Sequence, residues 1–160
     1  MESGNVSPVA EANIYCDPHA ADKVFSADWH VHMIGLDVTH KVLMMDALQE
    51  RIRDTNKMCG QFLYDAGRFY ADFYSKNRGA EGCYVHDASA VAYAINPELF
   101  KVIQGPIRVA TTGIAKGQTI MKRTNYTYPE NHWEGISDNS VCIGVDEKGV
   151  LELYEQAMAR

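Results

Sequence analysis

A histidine and an aspartate stand side by side at His86 and Asp87, in GCYVHDASAVAYA, where an apolar strand-like run gives way to an alanine-rich segment. Both would project from the mouth of a helix, where unpaired N–H groups and the helix dipole favour a carboxylate. Asp87 is therefore either a stabilising residue at a helix start or part of an acid–base pair, and His86 either a packed ring or a proton carrier. A second constellation lies near the front of the chain, in NVSPVAEAN, where Asn5, Glu11 and Asn13 offer two amides and a carboxylate within nine residues. Such groups suit a polyhydroxylated ligand, because a sugar diol needs donors and acceptors at fixed positions. They would equally make a polar loop leading into a helix. Cys16 with His19, and Cys83 with His86, show a spacing at which thiolate and imidazole can share zinc, and two such pairs would complete a four-ligand site. His30 and His32 fall on one strand face, as metal ligands or as polar residues of a half-covered strand.

The elements that must position these groups follow from periodicity. From Glu11 to about Ala27 the text is helical, with Asp17 as an N-cap and Pro18 at the first helical position of its second half. HVHMIGLDV predicts a strand ending near Thr39. Val42, Met45, Leu48 and Ile52 recur at helical spacing, predicting an amphipathic helix to about Asp54. Phe62, Ala66, Phe69 and Phe73 then predict a core-facing stripe, while Tyr70, Tyr74 and Arg78 form a second line, turned about 100° from it, that could face a ligand. The helix opening at His86 runs through Val91 and Ile95 until Asn96 and Pro97 interrupt it. PIRVATTG and KGQTIMKR predict a hairpin, a polar stretch spans Thr124 to Asn139, SVCIGVD predicts a buried strand and LELYEQAMA a closing helix. Alternating strands and helices predict an α/β fold with an antiparallel pair attached.

Bulk properties bound the function. With 160 residues, 46% hydrophobic and 22% charged, the composition is globular; without repeats or linkers, residues 1–160 read as a single unit. Lys and Arg number 15 against 21 Asp and Glu, for a formal charge of -6, which argues against a nucleic-acid surface and for a small ligand. The chain shows no basic, apolar leader and no membrane-length apolar run, and reads as soluble and cytoplasmic. Four widely spaced cysteines predict free thiols.

Read jointly, GNVSPVAEANIYCDPHAA, GLDVTHKVLM, VHDASAVAY, the hairpin and the last strand resemble, in order and spacing, the nucleoside hydrolases, the inosine- and uridine-type N-ribohydrolases. The resemblance covers essentially the whole chain but only the C-terminal half of such an enzyme. It implies part of an open, mostly parallel sheet with flanking helices and an antiparallel hairpin, lacking the N-terminal half of the family fold. It further implies that Asn5, Glu11 and Asn13 bind ribose hydroxyls, that Asp87 ligates a calcium ion, and that His86 donates a proton to the departing base. Tyr70, Tyr74 and Arg78 match the helix that closes over the nucleobase. The implied partners are a ribonucleoside substrate, and a homo-oligomer or separate N-terminal half, with no nucleic acid and no membrane.

This set has a physical logic. Breaking a ribosyl C–N bond passes through an oxocarbenium-like sugar, with water attacking one face and a proton delivered to the leaving group. A histidine, with an ordinary pKa of about 6.5, holds and releases a proton near neutrality. The family's opening Asp-x-Asp loop, with its further calcium ligands and general base, has no counterpart here: the chain contains no Asp-x-Asp and no adjacent aspartates. Calcium takes roughly six to eight oxygens, so Asp87 alone should bind it feebly and the chain alone should be inactive. The second reading is a catalytically silent fragment serving as an oligomerisation or zinc-binding module.

Overall fold

The computed structural model describes residues 2–159, without the side chain of Arg78. In chain order the elements are α1 (Ala12–Cys16), α2 (Pro18–Ser26), β1 (His32–Met33), α3 (Leu36–Thr39), β2 (Leu43–Met44), α4 (Asp46–Thr55), α5 (Gly60–Arg78), β3 (Cys83–Tyr84), α6 (His86–Ile95), a 3-10 turn at Pro97–Leu99, β4 (Phe100–Gly105), β5 (Ile107–Val109), β6 (Thr119–Met121), β7 (Asn139–Val145) and α7 (Glu147–Met158). The fold is mixed α/β. It parts into two compact units, one made of Met1–Asp37 with Val102–Ile143, the other of Val38–Lys101 with Gly144–Arg160.

In the first unit, Asp17 ends α1 and starts α2: its carboxylate accepts from the Ala20 N–H at 2.9 Å, and Pro18, which lacks a donor, fills the first helical position. Phe25, Ile107, Val109 and Val141 form the core, joined by Ile14, Ala21 and Met33. Strand β1 runs parallel to β7, with His32 opposite Ser140 and Met33 opposite Val141, and β4 flanks β7 on its other side. The predicted hairpin is β5–β6, antiparallel with Arg108 opposite Ile120. Arg108 clamps Asp22 of α2 through Nε and Nη2, both at 2.8 Å, and the same carboxylate accepts from the Val109 N–H. That guanidinium holds the Asp22 carboxyl below the usual carboxylate range, against the opposing pull of burial.

In the second unit, α4 and α5 pack together and bury Leu48, Ile52, Ala71 and Tyr74, while Val85 and Ala92 bury beside and along α6. Strands β2 and β3 pair antiparallel, Leu43 opposite Tyr84 and Met44 opposite Cys83. The pairing needs Gly82, where a Cβ would collide with the Met44 carbonyl. Helix α5 stops at Gly79, whose φ of 65° is left-handed and whose N–H bonds the Ser75 carbonyl. Asp146 caps α7, accepting from the Gly149 N–H at 3.1 Å, so the closing helix begins earlier than the LELYEQAMA pattern alone predicts.

Three expectations need correction. The strand after Asp28 ends at Met33, because Leu36–Thr39 coils into α3. Val42 and Met45 precede α4 instead of lying in it: Val42 is buried beside β2 and Met45 is exposed. The predicted core stripe on α5 faces outward. Phe62 and Phe69 are 72% and 81% exposed, whereas Tyr74 is 3% exposed. Tyr70 is 39% exposed as well, so the inward face is neither predicted line: it runs through Gly67, where α4 approaches with Gln49, to the buried Ala71 and Tyr74.

Candidate functional site

A cavity of about 280 Å³ opens in the second unit, walled by Tyr64 and Tyr70 of α5, Tyr84 of β3, His86 and Asp87 of α6 and Tyr154 of α7. Four of the fourteen lining residues are tyrosines, and Met44, Ile52 and Leu63 add apolar surface, so the cavity offers flat, apolar walls edged with hydroxyls, which suits a planar heterocycle.

His86 is the first residue of α6. Its Nε2 lies 2.9 Å from the Tyr74 hydroxyl and its Nδ1 2.7 Å from the Thr39 hydroxyl. Tyr74 in turn lies 3.2 Å, hydroxyl to hydroxyl, from Tyr70, the two rings meeting edge to face at 4.9 Å. A spacing of four residues on α5 puts both tyrosines on one helical face. Tyr74 is buried, and Tyr70 reaches the cavity wall. The result is a continuous line of hydrogen bonds from Thr39 through His86 and Tyr74 to Tyr70. Both ring nitrogens are engaged by protein hydroxyls, and of the two tyrosines in this line Tyr70 is the one that lines the cavity. His40 packs edge-on against His86, with ring centroids 5.5 Å apart.

Asp87 sits in the first turn of α6, exposed at the cavity edge, where the helix dipole favours its charge. It is not the cap: Val85 holds that position, with no side-chain cap bond. Arg78 is the last residue of α5, and its side chain lies outside the described residues.

Asn5, Glu11 and Asn13 belong to the first unit, where they gather at the start of α1. Both Glu11 carboxylate oxygens are used locally, accepting from the Asn13 N–H at 3.0 Å and the Ile14 N–H at 3.1 Å. Asn5 Oδ1 accepts from the Ala12 N–H at 2.9 Å. Glu11 is half-buried, and Asn5 and Asn13 are exposed. The cluster is thus a helix cap in which the Asn5 and Glu11 side chains are held by backbone donors.

Among the described residues, no group of three or more His, Cys, Asp or Glu side chains is placed to hold a metal ion. Asp87 by itself therefore does not fit calcium, and neither Cys-x-x-His pair gathers further ligands around itself among the described residues. His30 donates to or accepts from the Ser140 hydroxyl at 2.8 Å and stands edge-on to His32, both exposed. Of the four free thiols, Cys16 is exposed and Cys142 buried; burial raises Cys83 and pushes Cys142 up to about 11.

Sequence reading missed Thr39. It lies inside GLDVTHKVLM, but its partner is 47 residues away, and no local pattern announces that contact.

The profile of the inosine-uridine preferring nucleoside hydrolases matches residues 1–152. The probable uridine nucleosidase 1 of Oryza sativa subsp. japonica is 37% identical over 160 residues, an overlap of 98% of this chain and 48% of that protein. A solved plant nucleoside hydrolase superposes with a TM-score of 0.93 at 32% identity, over 98% of this chain and 50% of that one. The purine-preferring ribonucleoside hydrolase from Gardnerella vaginalis superposes at 0.87 with 33% identity, over 99% and 49%. The chain spans about half the length of the relatives it matches. Sequence motifs, fold and relatives agree: the chain belongs to the inosine-uridine preferring nucleoside hydrolase family.

Proposed function

We propose that the chain carries sugar-holding and leaving-group functions of ribonucleoside hydrolysis, the cleavage of an N-glycosidic bond to free base and ribose. The observation that carries this reading is the hydrogen-bonded line ending in Tyr70 at the tyrosine-walled cavity. When the C–N bond breaks, its electron pair leaves with the base, which needs a proton on a ring nitrogen. Tyr70 gives that proton, the Tyr74 hydroxyl proton moves onto the Tyr70 oxygen, and the Nε2–H of His86 holds the oxygen left negative on Tyr74. His86 thus serves the leaving group from behind two hydroxyls. General-acid assistance of this kind is worth ~10²–10⁴ in rate.

In this reading Asn5, Glu11 and Asn13 hold ribose hydroxyls, the amide nitrogens of the two asparagines as donors and, as acceptors, the Glu11 lone pairs not spent on the Asn13 and Ile14 N–H groups. Asp87 hydrogen-bonds the diol; calcium would need oxygen ligands beyond it. Water activation is the part of the reaction to which no residue is assigned, in keeping with the missing Asp-x-Asp loop.

Titration of inosine and of uridine into isotope-labelled chain tests the proposal. Resonances of Tyr70, His86 and Asp87 should shift with saturation, and Tyr70→Phe should weaken the response. Absence of any shift with either nucleoside overturns the reading. Assayed alone, with and without calcium, the chain should give no turnover above background; appreciable calcium-dependent turnover would show that a base is present after all.

A further inference from the structure

We infer that Thr39 is a positioning residue, which holds the neutral His86 ring in the tautomer that carries its proton on Nε2. The inference rests on the leaving-group reading of His86, and its chemistry starts from a buried hydroxyl. Thr39 is 2% exposed, so the proton on its oxygen cannot be satisfied by water. Among the described residues, the partner its hydroxyl meets is Nδ1 of His86, at 2.7 Å. A hydroxyl with one acceptor in reach donates to it, because leaving a buried donor unmade costs more than the bond itself gains. Nδ1 is then an acceptor, and in a neutral imidazole the single ring proton must sit on the other nitrogen.

The backbone keeps Thr39 in place. The Val42 N–H bonds the Thr39 carbonyl at 3.2 Å, closing the turn after α3, and the Val85 N–H bonds the Val42 carbonyl at 3.0 Å. Val85 immediately precedes His86, so the donor that reads Nδ1 is tied to the residue next to the ring it reads. The consequence runs down the whole line. Nε2–H donates to the Tyr74 oxygen, which directs the Tyr74 proton toward Tyr70 and the Tyr70 proton toward the cavity. With the opposite tautomer Nε2 would draw the Tyr74 proton inward, and Tyr70 would follow. One hydroxyl that does not itself line the cavity thereby sets the direction of every proton in the line.

The test is nitrogen NMR of the His86 ring in the labelled full chain, at a pH where the ring is neutral. The expected result is a protonated Nε2 and an unprotonated, hydrogen-bonded Nδ1. Thr39→Ser, which keeps the hydroxyl, should leave both signals in place, while Thr39→Val should move Nδ1 to the higher frequency of an unbonded ring nitrogen. A proton found on Nδ1 in the unsubstituted chain overturns the inference, as does an unchanged Nδ1 signal in Thr39→Val. If the valine variant does not fold, the tautomer of the unsubstituted chain decides by itself. Nucleoside titration fails or succeeds independently: a Nε2 proton without nucleoside binding would sink the hydrolase reading and leave the Thr39 assignment standing.

Discussion

The two polar constellations are built in opposite ways. At the start of α1, the Asn5 and Glu11 side chains accept from backbone N–H groups within seven residues along the chain. Around His86, the partners are side chains 12 and 47 residues distant. The first cluster is a local structure, formed whenever its own short segment coils; the second exists only once α3, α5 and α6 have packed. Removing an atom should therefore cost little and locally in the first, and much and cooperatively in the second.

The sharpest break comes at Tyr74. Tyr74→Ala removes a buried ring and two hydrogen-bond partners and should cost about 3–5 kcal/mol, with Tyr74→Phe costing about 1–3 kcal/mol because Nε2 of His86 is left without its hydroxyl. Chemical denaturation of both variants measures this; a Tyr74→Phe change under a few tenths would mean that the line is incidental to stability.

Next in size is the Asp22–Arg108 pair, a long-range contact in the first unit. Arg108→Met should cost about 1.5–3 kcal/mol near neutrality, by loss of charge-assisted hydrogen bonds. Because the folded carboxyl of Asp22 is lowered, its contribution is full above the unfolded value near 3.9 and fades as pH falls through the lower folded one. Melting curves between pH 6 and pH 2 should lose less stability in Arg108→Met than in the unsubstituted chain. Equal losses would place the acid sensitivity elsewhere.

Glu11→Ala comes third. Loss of the cap should cost about 1 kcal/mol, and Glu11→Asn or Glu11→Asp should recover part of it. A cost as large as that of Tyr74→Ala would erase the contrast between local and long-range construction. Smallest is Phe69→Ser, expected to stay within about 0.5 kcal/mol despite the loss of an aromatic ring, since that ring faces outward. A cost of several kcal/mol would restore the core stripe that periodicity predicts.

This contrast explains what the sequence could disclose. The Asp17–Pro18 helix start, the break at Asn96–Pro97 and the hairpin were legible because each depends on neighbours in the chain, and the last strand because its apolar run marks a buried segment. His86 and Asp87 were legible as a pair at a helix mouth, and they do share a cavity wall with Tyr70. The inward face of α5 was not, since α4 approaches it at Gly67, where a Cβ would meet Gln49, and no aromatic stripe marks that line. Thr39 was hidden for the same reason. A threonine at the end of a four-residue helical turn carries no mark of the ring it touches.

The thiol of Cys142, sealed within β7, gives the molecule a built-in timer. An alkylating reagent added to the native protein should consume Cys16 at once, while Cys142 waits for its strand to come apart. Mass spectrometry of the slow adduct would then clock the opening of that strand, with the fast adduct as internal standard.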